Sequence, residues 1–275
     1  MKMKKWMYDA LIIFFAAVLV ISAGYLAYYF IDGYRQSQRY DDLSNLKETV
    51  TPRPSIPADD TPVTSEPVVP QLVDVVDPET GETVQVLPEF AELYVQNNDI
   101  VGWIKIPGTD IDYPVMQTPD KPDYYLRRSF DKERSTRGCI YVRETCDVFQ
   151  PEDNLTIYGH RMRDGSMFAR LDNFMELEYF QQNPYIFFDT LTGLHTYKVM
   201  AVFVTTATIG EGFAYHEFES ASDEEEINAF VSKCKELALY DTGVEAAYGD
   251  KLITLSTCEY TQVNGRLVVV AYRIS

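Results

Sequence analysis

A chain of 275 residues with 46% hydrophobic and 13% aromatic content can bury a sizeable core, which excludes a wholly disordered protein. Its 42 acidic and 24 basic residues leave a formal charge of −18, which argues against nucleic acid as a partner, since phosphate binding needs a basic excess. The four cysteines (Cys139, Cys146, Cys234, Cys258) are too few and too unevenly spaced for a disulfide scaffold, and they lack the paired spacing of a structural zinc site.

Residues 10–31 form an uncharged run of 22 residues, ALIIFFAAVLVISAGYLAYYFI. As a helix it would extend about 33 Å, enough to cross a hydrocarbon core of ~30 Å. Lys2, Lys4 and Lys5 precede it, whereas charges of mixed sign follow it. The positive-inside rule then puts residues 1–9 in the cytoplasm and everything after the span outside. The expectation is a single-pass cell-membrane protein. A cleavable signal peptide is the alternative, but the run exceeds a normal signal core and continues past Ser22-Ala23-Gly24.

Residues 32–87 read as an extracellular acidic and proline-rich linker. Seven prolines (Pro52, Pro54, Pro57, Pro62, Pro67, Pro70 and Pro78) are interleaved with Thr, Ser, Asp and Glu. Such a stretch buries too little apolar surface to offset its ordering entropy, and proline keeps it extended.

From residue 88 to 275 the pattern is globular. Glu89–Val95 predicts a short amphipathic helix with Phe90, Leu93 and Tyr94 on one face. Eight apolar, β-branched runs follow: 100–106, 113–116, 139–142, 155–158, 185–188, 197–205, 251–256 and 267–274. Short strands separated by Gly- and Asn-rich turns predict a closed or sandwiched β fold. One helix interrupts them at 222–238, with Ser222 and Glu225 as a capping box and Ile227, Phe230, Val231, Cys234 and Leu237 on one face.

Three residues could carry chemistry. Cys258 ends the run KLITLST, so its thiol sits at or near a strand end, where a rigid sheet can mount a nucleophile; a buried structural cysteine is the alternative. His160 lies just past a strand in TIYGH and could act as a base. His195 and His216 read as exposed surface imidazoles. Arg266 opens the last strand after Asn264-Gly265, and a simple connection would make it face Cys258 across a common rim. A guanidinium there could donate to a developing oxyanion.

The segments DIVGWIKIPGTDIDYPVMQ, YYLRRSFD, NLTIYGHRMRDGSMFARL and TLSTCEY, with an arginine eight residues past the cysteine, resemble class B sortases of Gram-positive bacteria. The resemblance spans roughly residues 88–275, and that class also carries a helix between the two strands preceding the cysteine. It implies an eight-stranded sortase-type β-barrel with flanking helices, preceded here by one transmembrane helix and the tether. It further implies a cysteine transpeptidase needing no metal or cofactor, with Cys258 as nucleophile, His160 as acid and base, and Arg266 as oxyanion stabiliser. Ser256, Thr257 and Glu259 are the expected substrate-groove residues. The implied partners are the sorting-signal peptide of a surface protein and an amine acceptor, either a peptidoglycan precursor or a pilin lysine. The lid and the second hydrophobic segment of pilus-type class C sortases are missing.

Some alternatives stay open at the level of sequence. A tethered β-domain that binds a wall polymer without catalysis would share the same anchor and strands. A papain-like protease fits poorly, because the cysteine follows the histidine. Cys139 and Cys146 are additional thiols in a compartment that permits a disulfide. Asp77–Gly81 (DPETG) resembles a sorting pentapeptide and could visit the groove, although an ordinary linker turn explains it as well.

Overall fold

Eight runs rich in Val, Ile and aromatic residues, each bounded by turn residues, favour a sheet whose two faces are both covered. The computed structural model describes residues 5–47, 70–150, 152–208 and 210–275, and the chain divides into two compact units, 1–41 and 42–275. The first is built on helix α1 (Lys5–Leu46), which is long and apolar enough to cross a membrane. The prolines of 48–69 lie outside the described residues.

The second unit opens with strands β1 (Val73–Val76) and β2 (Thr83–Val86), which pair as an antiparallel hairpin inside the segment expected to be linker. Asp77–Gly81, the segment that resembles a sorting pentapeptide, lies in its turn. Asp77 accepts hydrogen bonds from the amides of Glu79 (2.9 Å) and Thr80 (2.8 Å) and from the Tyr94 hydroxyl (2.6 Å). With Tyr94 as the leading cause, these bonds hold the Asp77 carboxyl well below the usual carboxylate range. Linker composition misleads here because one buried, multiply bonded carboxylate orders a turn that proline content alone would leave extended.

A 3-10 turn (Pro88–Phe90) runs into α2 (Ala91–Gln96), with proline at the tolerated first position. There follow β3 (Ile100–Lys105), β4 (Asp112–Met116), β5 (Ile140–Val142) and β6 (Asn154–Tyr158). Next come a 3-10 helix (Phe168–Met175), α3 (Leu177–Gln182), β7 (Tyr185–Thr190) and β8 (Thr196–Thr206). The chain ends with α4 (Glu224–Leu237), β9 (Leu252–Cys258) and β10 (Gly265–Arg273). Strands β3 to β10 close into an eight-stranded barrel in the order β10-β8-β7-β3-β4-β5-β6-β9. Ile104, Val115, Ile157, Phe188 and Leu255 are fully buried within this unit, each worth roughly 1.5–3 kcal/mol by area removed from water.

Helix α4 starts one residue later than the expected capping box. Asp223, rather than Ser222, is the cap: its carboxylate accepts the Glu226 amide at 3.0 Å, while Glu226 reaches back to the Ser222 amide at 2.7 Å. An ionised acceptor outcompetes a hydroxyl for these orphan amides. Ile227, Phe230, Val231 and Cys234 form the buried face, and Phe230 stacks on Phe218 with centroids 4.1 Å apart.

Candidate active site

Two strand registers assemble the site. In the antiparallel β9–β10 pair, Arg266 stands directly opposite Cys258, as a short connection between the two strands predicts. In the parallel β6–β9 pair, Tyr158 is level with Ser256, so the next residues of both chains, ending in His160 and Cys258, leave the barrel side by side. The partners lie 98 residues apart in sequence, and only barrel closure makes them neighbours.

Local sequence then shapes each end. A Cβ on Gly159 would come within 2.5 Å of Ile140 Cδ1 and 2.6 Å of Phe168 Cδ2, so the residue before His160 must be glycine. Asn264 takes a left-handed conformation (φ 53°), and a Cβ on Gly265 would meet the Glu259 carbonyl oxygen at 2.5 Å; the Asn-Gly pair therefore permits the tight return into Arg266.

Cys258, His160 and Arg266 all line one cleft of about 440 Å³, within the range of small-ligand sites. Its lining also includes Leu126, Tyr141, Tyr158, Tyr215, His216 and Ser256. Among the four cysteines Cys258 alone is partly exposed; Cys139, Cys146 and Cys234 are buried, and all four are free thiols. Burial pushes the Cys146 thiol up to about 11 and that of Cys234 higher still.

His160 Nε2 lies 2.8 Å from the Leu126 carbonyl oxygen, which can only accept, so Nε2 carries a proton and Nδ1 is the nitrogen free to exchange one. Burial lowers the His160 pKa below its ordinary value; the Leu126 carbonyl works against that shift, and the Arg127 charge adds to it. Arg266 Nη1 donates to the carbonyls of Gly265 (2.9 Å) and Asn264 (3.3 Å), which anchors the guanidinium at the cleft edge. The Arg266 side chain makes no other hydrogen bond among the described residues.

The expected groove residues divide. Ser256 and Thr257 line the cleft: Ser256 Oγ shares a 2.6 Å hydrogen bond with the Tyr215 hydroxyl, and Thr257 Oγ1 donates to the Gly159 carbonyl at 2.8 Å. Glu259 is not part of the cleft lining, because its loop uses the carboxylate. Burial opposes its ionisation, but the Thr261 hydroxyl and amide, the Tyr260 amide and the Arg161 charge outweigh that and lower its pKa.

The His216 expectation is corrected. Its ring is half-buried in the cleft wall, edge-on to Tyr215 at 5.4 Å, rather than on open surface. Burial, followed by the charges of Arg143 and Arg266, lowers its pKa. Arg143 pins this wall by donating to the His216 carbonyl and pairing with Glu219 at 3.1 Å. Neither Tyr215 nor Arg143 carried a sequence signal, since both act through partners on other strands and loops. Among the described residues no group of three or more His, Cys, Asp or Glu is placed to hold a metal ion.

Comparison with known proteins identifies the family. A family profile described as the sortase domain matches residues 104–274. The chain is 34% identical to sortase B of Listeria monocytogenes over 69% of its own length and 76% of the relative's. It is 31% identical to sortase B of Staphylococcus aureus over 68% and 75% of the two chains. The fold superposes on sortase B of Bacillus anthracis in complex with AAEK1 with a TM-score of 0.67 at 30% identity, covering 89% of this chain and 98% of that one. A Staphylococcus aureus sortase B–substrate complex superposes with a TM-score of 0.63 at 29% identity, over 68% and 85% of the chains. The chain therefore belongs to the sortase family of cysteine transpeptidases and, within it, to the class B sortases.

Proposed function

We propose that this sortase cleaves the C-terminal sorting signal of surface proteins after a Thr residue and transfers the new carboxyl end to an amine of the peptidoglycan cross-bridge. The observation that supports it is the meeting of Cys258, His160 and Arg266 in one cleft through two strand registers. Cys258 Sγ attacks the Thr carbonyl carbon while its proton passes to Nδ1 of His160. Arg266 donates to the oxyanion of the tetrahedral adduct. Collapse breaks the C–N bond, His160 returns its proton to the leaving amine, and a thioester remains on Cys258. An acceptor amine then attacks the thioester and gives a proton to His160, which restores the thiol as the C–S bond breaks. Ser256 and Thr257 form the part of the groove beside the scissile bond, and residues 10–31 anchor the chain with its N-terminus cytoplasmic and the barrel outside.

The test is a panel of pentapeptides with Thr in fourth position, offered to the full-length chain, with mass spectrometry of trapped thioesters. Wild type is expected to carry an acyl group on Cys258, and Cys258→Ala to carry none; undiminished turnover by Cys258→Ala would falsify this mechanism. Adding either a cross-bridge peptide or a lysine-containing pilin peptide identifies the acceptor, and faster release by the lysine peptide would replace wall anchoring with pilus assembly.

A further inference from the structure

The last backbone bond of the β6–β9 pairing runs from the Gly159 amide to the Ser256 carbonyl at 3.2 Å, short of both His160 and Cys258. Beyond it, side chains must set the spacing between imidazole and thiol. One tie lies on the barrel side, from Thr257 Oγ1 to the Gly159 carbonyl. We propose that a second tie on the outer side, formed by Tyr260, Arg161 and Asp172, closes a bracket around the reactive pair and makes Tyr260 and Arg161 positioning residues for the acyl transfer. This rests on Cys258 and His160 being that pair.

The geometry is continuous from one reactive residue to the other. Arg161 follows His160 directly, and its Nε donates to both Asp172 carboxylate oxygens at 2.7 and 3.0 Å, with Nη2 adding a third contact at 2.5 Å. Asp172 belongs to the 3-10 helix Phe168–Met175, whose first amide donates to the His160 carbonyl at 2.9 Å. One short helix thus holds both the backbone of His160 and the side chain after it.

From the other direction, Tyr260 lies two residues past Cys258. Its ring centroid is 5.0 Å from the Arg161 guanidinium carbon, and its hydroxyl reaches the Arg161 carbonyl at 3.4 Å. The loop carrying Tyr260 is internally tied, by the Glu259 amide to the Gly265 carbonyl and by Thr261 to the Glu259 carboxylate. A shift of the ring is therefore transmitted to Cys258 rather than absorbed by slack. A planar guanidinium can be forked by a carboxylate and covered by an aromatic face at once, which an ammonium cannot do. Tyr260 is 66% exposed, so the stack, and not burial in a core, gives the ring its place.

The experiment uses the full-length chain in detergent micelles with the fluorogenic form of whichever panel pentapeptide acylates wild type fastest. Tyr260→Ala is expected to lower kcat roughly two- to five-fold, the worth of one exposed cation–π contact, with KM and Tm at wild-type values. Tyr260→Phe keeps the ring and is expected to restore kcat. Arg161→Lys is expected to match Tyr260→Ala, and the double variant to lose no more than the worse single. Wild-type kcat in Tyr260→Ala, an equal loss in Tyr260→Phe, additive losses in the double variant, or a fall in Tm with raised KM and unchanged kcat would each overturn the bracket. If wild type acylates no peptide, or Cys258→Ala still turns it over, the underlying mechanism falls and the bracket with it. Acylation at Cys258 with an indifferent Tyr260→Ala removes the bracket alone.

Discussion

His160 shows how burial decides chemistry at a single residue. Its ring holds a proton less tightly in the folded chain than at the ordinary value of 6.5, chiefly because burial disfavours the imidazolium. Between the folded and unfolded values the unfolded chain binds more protons, so this group's contribution to stability is complete above 6.5 and is lost as pH falls through the folded value. Neutral His160 is also the form that can accept the Cys258 proton. The acidic limb of kcat/KM on the pentapeptide is therefore expected to lie below 6.5, and a limb centred above it would mean that the group whose deprotonation limits activity is not His160. The sequence motifs singled out Cys258, His160 and Arg266 as candidates, and all three line the cleft. His216 was not singled out, because an imidazole in an acidic-aromatic loop has no periodicity to say which way it faces.

At the scale of elements, the strand pattern of the barrel was readable: all eight barrel strands fall on the apolar runs at 100–106 through 267–274. Their edges and the helix ends were less so. The cap of α4 slipped from Ser222 to Asp223 because two adjacent residues could both serve and the charged one prevailed. Asp223→Ala removes an acceptor that holds the Glu226 amide, a loss of about 1 kcal/mol. In a domain of this size it is expected to lower Tm by roughly 2–4 °C while leaving peptide turnover intact, as differential scanning calorimetry and the peptide assay would register. An unchanged Tm would place the stability of α4 wholly in its stacked Phe230 face. The hairpin β1–β2 was hidden by its proline-rich surroundings, since Asp77 is held by Tyr94 and Asn98 from outside the segment as well as by the Glu79 and Thr80 amides within it.

For the whole molecule, the long apolar helix and the barrel are separate physical problems. Helix α1 has the length and apolarity to span a bilayer, and its apolar side chains are exposed from Leu11 to Ile31. Deleting residues 5–31 is expected to move the chain from the membrane fraction to the soluble one while Cys258 still acylates; persistence in the membrane fraction would assign attachment to another segment. The apolar span, the strand list, the family and the three candidate residues Cys258, His160 and Arg266 could be read from sequence, because hydrophobic periodicity and short motifs are local properties of the chain. Tertiary structure alone decided that β6 lies parallel to β9, that Tyr215 meets Ser256 across the cleft, that His216 faces inward and that Tyr260 rests on Arg161. Those facts depend on how a closed barrel chooses its neighbours, and strand pairing between residues about a hundred positions apart leaves no trace in either strand's own pattern.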